Sequence, residues 1–306
     1  MKKIYTKILI IGSGPAALSM SAVLKMGNID HMVLEKSDKI GGQINMINNS
    51  LDDLIIGNID SGNHLETLIL QFQENKNLPI YFNHEVTRLD SAENKVICTC
   101  KNDVAVVYYE FLVIATGCRL NIDPDFENSH FENDIYYRIN ENLNDFDNKI
   151  VAIAGSGDNA AIAALKLTDI ATKIYILNRS DNWKIRSDLF TNIKESTKIF
   201  LLTKHMLKTF NGDENLRSII LDHNGLEQEL QVEKFIFKIG YKPNTEFAGD
   251  KIAKNTLNHI ETDQNFRTSV PNIYAIGDVI SESYKRITIA MGHGTFLANH
   301  LIKNVL

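Results

Sequence analysis

The stretch KILIIGSGPAALSMSAVLKMGNIDHMVLE, residues 7–35, reads as strand, glycine turn, helix and strand in that order. KILIIG (7–12) is a short apolar run closed by glycine, the small-residue run from Pro15 to Lys25 has helical character, and HMVLE is a second buried strand ending at Glu35. In such a βαβ unit Gly12 permits the tight turn, Gly14 lets the backbone approach a pyrophosphate, and the helix N-terminus faces the phosphate charge. Glu35 stands about twenty residues further on, where a carboxylate accepts hydrogen bonds from ribose hydroxyls. The glycines alone would describe a turn that binds nothing; together with Glu35 they describe a dinucleotide site.

Lys2 and Lys3 before this apolar run also resemble a secretion signal. The buried-strand reading accounts for more of the residues, and no apolar run reaches the roughly 18 residues of a membrane span.

The pattern recurs. KIVAIAGSGDNAAIAAL (149–165) followed by KIYILNRS (173–180) is a second βαβ unit with Gly155, Gly157 and Ala160 in its turn. Its second strand ends in Asn178 and Arg179 rather than an acid. A carboxylate there would repel a 2′-phosphate, whereas Arg179, with Arg186 or Lys184 nearby, can pair with one, so NADP is expected over NAD. A solvated basic face is the bland alternative.

Around the two turns the chain is an ordinary globular one. Its 306 residues suggest two domains, and 44% apolar and 23% charged residues with five prolines leave no sign of disorder. A net charge of −6 with scattered cations argues against nucleic acid. Three cysteines, Cys98, Cys100 and Cys118, fit a reducing cytoplasm better than a disulfide framework. Helical spacing appears from Leu65 to Gln73. Ile80–Leu89, Lys95–Thr99 and Val104–Tyr109 read as antiparallel strands, FLVIATG (111–117) as a strand returning to the sheet, and Asn211–Leu230 as a polar hairpin region. KFIFKIG (234–240) leads into YKPN, and NIYAIGD (272–278) precedes a closing helix. Two nucleotide turns need two sheets, giving an α/β fold of two Rossmann-like, three-layer nucleotide-binding domains, the second inserted in the first.

The order GSGPAA, Glu35, GGQ (41–43), ATG (115–117), GSGDNA, FKIGYKPN (237–244) and AIGD (275–278) resembles the low-molecular-weight thioredoxin reductase family of two-domain flavoproteins over nearly the whole chain. The resemblance implies that residues 1–118 and 246–306 bind FAD and that 119–245 bind a nicotinamide nucleotide, NADPH. It implies FAD contacts from Gly12, Gly14, Pro15, Ala16, Glu35, Lys36, Gly42, Gln43, Val86, Thr116, Gly117, Gly277, Asp278 and Ile287. For the nucleotide it implies Gly155, Gly157, Asp158, Asn159, Ala160, Arg179 and Arg186. It also implies a homodimer and hinges near Gly117–Asn121 and Tyr241–Asn244.

One family feature is missing. Thioredoxin reductases carry a C-x-x-C before the second glycine turn; here the thiols would fall at about Arg138 and Glu141, and no C-x-x-C occurs in the sequence. Single-cysteine relatives place a thiol inside the first turn, at Ala16 or Ala17 here. Cys98 and Cys100 alternate on one expected strand and Cys118 follows ATG, positions more typical of small buried hydrophobes. YYRINENLNDFDNKIVAIAGSGDNA, with Phe146 at the family spacing, is instead similar to thioredoxin reductase-like ferredoxin/flavodoxin NADP reductases. That similarity implies electrons leaving directly from the flavin to ferredoxin, flavodoxin or another acceptor. A flavin-dependent oxidase or reductase of a small molecule, and a flavin-binding protein without nicotinamide turnover, are the alternatives. His293, between two glycines of the closing helix, reads as structural, as do Tyr136 and Tyr137. No catalytic residue and no metal site are expected.

Overall fold

The computed structural model describes residues 2–47, 51, 54, 57–100, 103–122, 126, 130–139, 143–280 and 284–305. The chain divides into two compact units, 1–119 with 242–306, and 120–241.

The first unit opens with β1 (Lys2–Ile11), α1 (Pro15–Met26) and β2 (His31–Leu34), then α2 (Gly62–Lys76), β3 (Ile80–Tyr81), β4 (His84–Asp90), β5 (Lys95–Cys100) and β6 (Asp103–Ile114). Its sheet runs β3-β2-β1-β6-β5-β4, and Ile273–Ala275, late in the chain, adds to β6. β1 is parallel to both β2 and β6, which puts it at the sheet centre. Ile8 and Ile10 face α1 and the closing helix, in one core with Met20, Leu24, Leu297 and Leu301. Leu9 and Ile11 face the other way, in a second core with Leu112, Ile114 and Ile260. Burial on both faces is why KILIIG is continuously apolar rather than alternating.

Two strand readings need correction. Ile80–Leu89 is two strands: Asn83 adopts φ 57° and separates β3, parallel to β2, from β4, antiparallel to β5. Conversely, Val104–Tyr109 and FLVI are one strand, β6. It pairs antiparallel with β5 only along its first half, residues 103–108, and its last residues are buried on both faces. The hydrophobic period therefore changes mid-strand, which disguises its continuity.

The chain leaves and re-enters this unit through β7 (Cys118–Leu120) and a later strand, Tyr241–Pro243, which pair with each other. The second unit contains β8 (Ile135–Tyr136), β9 (Ile150–Ala154), α3 (Asp158–Leu167), β10 (Lys173–Asn178), α4 (Ser187–Glu195), β11 (Ile199–Thr203), β12 (His205–Gly212), β13 (Leu216–His223), β14 (Leu226–Gln231) and β15 (Lys234–Phe237). Its parallel sheet runs β11-β10-β9-β15-β8, and β12-β13-β14 form an antiparallel meander. The polar hairpin region is thus three strands, turned at Asn224–Gly225 with φ 56° and 85°. Ile153, Ile176 and Ile236 pack on α3, whereas Ala152, Phe235 and Phe237 pack under the meander with Leu216, Ile219 and Leu221. Helix, sheet and meander make the three layers. After Tyr241–Pro243 (β16) and Ile273–Ala275 (β17), α5 (Ile287–Asn304) closes the chain against α1. A Cβ on Gly294 would lie 2.0 Å from the Ala16 carbonyl oxygen, so this helix contact requires glycine.

Candidate active site

Gly12 leaves β1 with φ 98°, and a Cβ there would lie 2.6 Å from the Ala115 carbonyl oxygen. Only glycine fits. Gly14 caps α1 with no side-chain hydrogen bond, and a Cβ on it would meet nothing within 4 Å. An uncapped helix start facing open space offers N–H donors and the positive end of the helix dipole to an anion. Behind it, the Glu35 carboxylate is 7% exposed. Its Oε2 accepts from the Ser13 N–H and hydroxyl, both at 2.8 Å, and its Oε1 from the Ser37 N–H and hydroxyl, both at 2.9 Å. The sequence reading gave Glu35 a ribose; the structure shows that it first ties the end of β2 to the glycine turn. The two serine hydroxyls are the donors that can rotate away to admit ribose hydroxyls.

Four separated motifs meet here. A Cβ on Gly42, which adopts φ 60°, would lie 3.6 Å from Gly14 Cα. Gln43 Nε2 donates to the Cys118 carbonyl at 2.7 Å, and the Cys118 thiol donates to the Asp278 carbonyl at 3.1 Å. A Cβ on Gly277 would lie 3.0 Å from that of Ala16. GSGPA, GGQ, ATGC and GD thus line one cradle. Burial raises the Asp278 pKa above the ordinary carboxylate value, with Lys285 pulling the other way. His293 Nδ1 accepts from the Gly277 N–H at 3.3 Å, and burial lowers its pKa, favouring the neutral ring that this bond needs. His293 therefore holds the GD turn, a role with no signal in the sequence beyond its glycine neighbours. Thr116 Oγ1 donates to the Asn244 carbonyl at 2.7 Å and Asn244 Nδ2 donates back to Thr116 at 2.8 Å, so YKPN clamps ATG. Of the other expected contacts, Pro15 opens α1, Ile287 opens α5 and packs against the Ile44–Leu65 cluster, Lys36 is exposed, and Val86 lies in the core beneath the sheet.

In the second unit Gly155 presses on the end of β15: a Cβ there would lie 2.5 Å from the Lys238 carbonyl oxygen. Gly157 caps α3 without a side-chain bond and lies beside Lys184, whose N–H donates to the Ser156 carbonyl at 2.7 Å, while Ala160 is fully buried and Asn159 exposed. Asn178 is buried; its Oδ1 accepts from the Ser180 N–H and hydroxyl, and its Nδ2 donates to the Asn182 carbonyl at 3.0 Å. A carboxylate could not make that last bond, which explains the amide at the place of the usual acid. Arg186 is committed to Asp158 and Asp188. Arg179 and Lys184 are exposed and make no ion pair among the described residues. Of the three cations read from sequence, these two are available.

Residues 6–294 match the pyridine nucleotide-disulphide oxidoreductase family. The chain belongs to that family. It is 27% identical to the thioredoxin reductase of Mycoplasmopsis pulmonis, the match covering 99% of this chain and 97% of that one. It is 25% identical to the ferredoxin–NADP reductase of Acholeplasma laidlawii, over 94% and 90%. The structure of Lactococcus lactis thioredoxin reductase superposes with a TM-score of 0.82 at 23% identity, over 97% and 98%, a likeness of fold. As a pyridine nucleotide-disulphide oxidoreductase the protein is an FAD-dependent NAD(P)H oxidoreductase whose cofactors are FAD and NADPH. The first cradle fits FAD: an uncapped helix start, open space at Gly14 and a carboxylate at the strand end are what a dinucleotide needs.

The thiols do not fit the family's disulphide chemistry. All three cysteines are free. Cys98 is fully buried, and burial raises its pKa; Cys118 is 4% exposed, and burial pushes its pKa up to about 11. Cys100 stands opposite His84 and Asp103 on the neighbouring strands and two residues from the buried Cys98 on its own. Arg138 lies just beyond β8, and Glu141 is outside the described residues. Tyr136 packs on Phe146 at 4.7 Å and Tyr137 stacks on Phe237 at 5.4 Å. Among the described residues no group of three or more His, Cys, Asp or Glu is arranged to hold a metal, and no helix is long and apolar enough to cross a membrane.

Proposed function

We propose that the protein is a cytoplasmic NADPH oxidoreductase that passes electrons through FAD to a ferredoxin- or flavodoxin-type carrier without a protein dithiol. The observation that carries the reading is the setting of the thiols: no C-x-x-C occurs in the sequence, and burial raises the pKa of both buried cysteines, Cys98 and Cys118, away from the thiolate form. A thiol must ionise to attack a disulfide. FAD, when bound, would accept one hydride, a pair of electrons, and can release those electrons singly, so a one-electron acceptor needs no cysteine. The chain's own residues then supply binding and orientation. The amide groups opening α1 and the Glu35 carboxylate hold the flavin dinucleotide, while Gly42, Gln43, Thr116, Gly117 and Asp278 shape its cradle. In the inserted unit, residues 155–160 take the pyrophosphate of NADPH, and Arg179 with Lys184 takes its 2′-phosphate. The ferredoxin–NADP reductase among the relatives supports this acceptor class. The exposed apolar residues of α5, Ile289, Met291, Phe296 and Ile302, are consistent with a homodimer.

The test is an anaerobic one. NADPH should bleach the bound flavin, and reduction of cytochrome c by the enzyme should then depend on added ferredoxin or flavodoxin. Carrier-independent turnover, or none above free FAD, refutes the acceptor; turnover with thioredoxin refutes the thiol argument.

A further inference from the structure

The strand order β10-β9-β15 in the inserted unit places a topological switch point at β9: the chain goes to β10 on one side, and β15 lies on the other. Dinucleotides lie across such crevices at the carboxyl ends of the strands, with the adenosine half toward the strand whose end reads the ribose. Here that strand is β10, ending at Asn178. The nicotinamide half is therefore assigned to the side of β15 and β8.

That side carries a lysine. Lys238 directly follows β15, its N–H donates to the Ala154 carbonyl at 2.7 Å, and its backbone bears on Gly155. Its Nζ donates to the Tyr137 carbonyl at 2.7 Å, just beyond β8. Lys238 makes no salt bridge among the described residues. The charged groups acting on it are both cations, Arg138 beyond β8 and Lys166 on α3; burial first, then these charges, lower its pKa to about 8.

We propose that the Lys238 ammonium is a specificity-determining group of the nucleotide site, one that opposes the positive ring of NADP⁺ and so biases the site toward the neutral ring of NADPH. The attraction of a cation for the phosphates is common to both oxidation states and cancels in their ratio. Only the ring charge differs. The inference rests on the inserted unit being the NADPH site.

Calorimetric titration of the flavin-loaded protein with NADP⁺ and with tetrahydro-NADP, a neutral-ring analogue that transfers no hydride, tests it. Tetrahydro-NADP is expected to bind roughly tenfold tighter than NADP⁺ at pH 7, the order of one screened unit-charge interaction in a part-buried site. The gap should narrow above pH 8 as Lys238 deprotonates, with NADP⁺ binding releasing a proton. Lys238→Met should remove most of the gap at every pH, whereas Lys238→Arg should keep it and lose its pH dependence. An unchanged ratio in Lys238→Met, or a pH dependence that survives in Lys238→Arg, overturns the proposal. Failure of both nucleotides to bind the wild type refutes the nucleotide site itself and the inference with it; nucleotide binding without preference refutes the inference alone.

Discussion

Replacing Glu35 with glutamine separates its two tasks, because the side chain keeps its shape and loses its charge. The carboxylate accepts four hydrogen bonds, two from Ser13 and two from Ser37. An amide keeps one oxygen, and its NH₂ must face one of the serine pairs. The serine hydroxyl can turn to accept from it, but the backbone N–H cannot. One charge-assisted bond is lost, about 1.5–3 kcal/mol, and one N–H is left opposed, about 1–3 kcal/mol, so the cost is roughly 2.5–6 kcal/mol. Because the first glycine turn is the element held, part of this cost should appear in cofactor retention: about 3 kcal/mol is roughly a hundredfold in FAD affinity. The assay is flavin content after dialysis, from the ratio of flavin to protein absorbance, together with thermal unfolding of the FAD-loaded and stripped forms. Glu35→Gln should lose FAD and melt earlier in both forms. If it keeps stoichiometric FAD and the wild-type melting temperature, the argument that Glu35 organises the turn is wrong. Loss of FAD with unchanged melting of the stripped protein would leave only the ribose contact.

Arg179→Ala should raise KM for NADPH about tenfold and leave that for NADH unchanged, since an exposed guanidinium pairing with a phosphate is worth about 1–2 kcal/mol; equal effects on both nucleotides refute its 2′-phosphate role. Lys234 Nζ lies 2.7 Å from the buried Asp134, whose other oxygen accepts the Leu216 N–H at 2.8 Å. Lys234→Met should therefore destabilise the inserted unit by about 3–5 kcal/mol, and adding Asp134→Asn should recover part of it in urea unfolding. His31 and His293 have pKa values lowered from 6.5 by burial, so in the folded state they resist protonation. Their contribution is complete above pH 6.5 and is lost as pH falls below it, and the melting temperature of His293→Gln should fall less between pH 6.5 and 5 than that of the wild type. Lys238 has the same sign at higher pH: its pKa is lowered from 10.5 to about 8, so the wild type should gain up to about 3 kcal/mol between pH 8 and 10.5, a gain absent in Lys238→Met.

The sequence was most legible where one residue type has one physical use. Gly12 and Gly155 mark turns that exclude a side chain, and Glu35 ends a strand beside the turn it serves; both could be located by spacing alone. β6 was misread because its surroundings change along its length, and a local pattern carries no record of what covers each face. The cradle's cross-links were invisible for a related reason. Gln43 reaches Cys118 over 75 residues, and Thr116 reaches Asn244 over 128, distances at which the chain gives no hint of who meets whom.

The same contrast bears on how far the departures from the thioredoxin reductase pattern reach. Asn178 in place of an acid is built into its loop by three hydrogen bonds. Cys118 is a buried donor to the Asp278 carbonyl. His293, between two glycines of the closing helix, holds the Gly277 N–H that precedes Asp278. Each of these residues has a hydrogen-bond partner, and for Asn178 the bond from Nδ2 is one that a carboxylate could not make. Chance loss would leave unsatisfied polar atoms at such places, because a buried group without a partner costs about as much as a hydrogen bond contributes. Asn178, Cys118 and His293 are thus each hydrogen-bonded where they stand, beside glycine turns that keep the geometry of a nucleotide cradle.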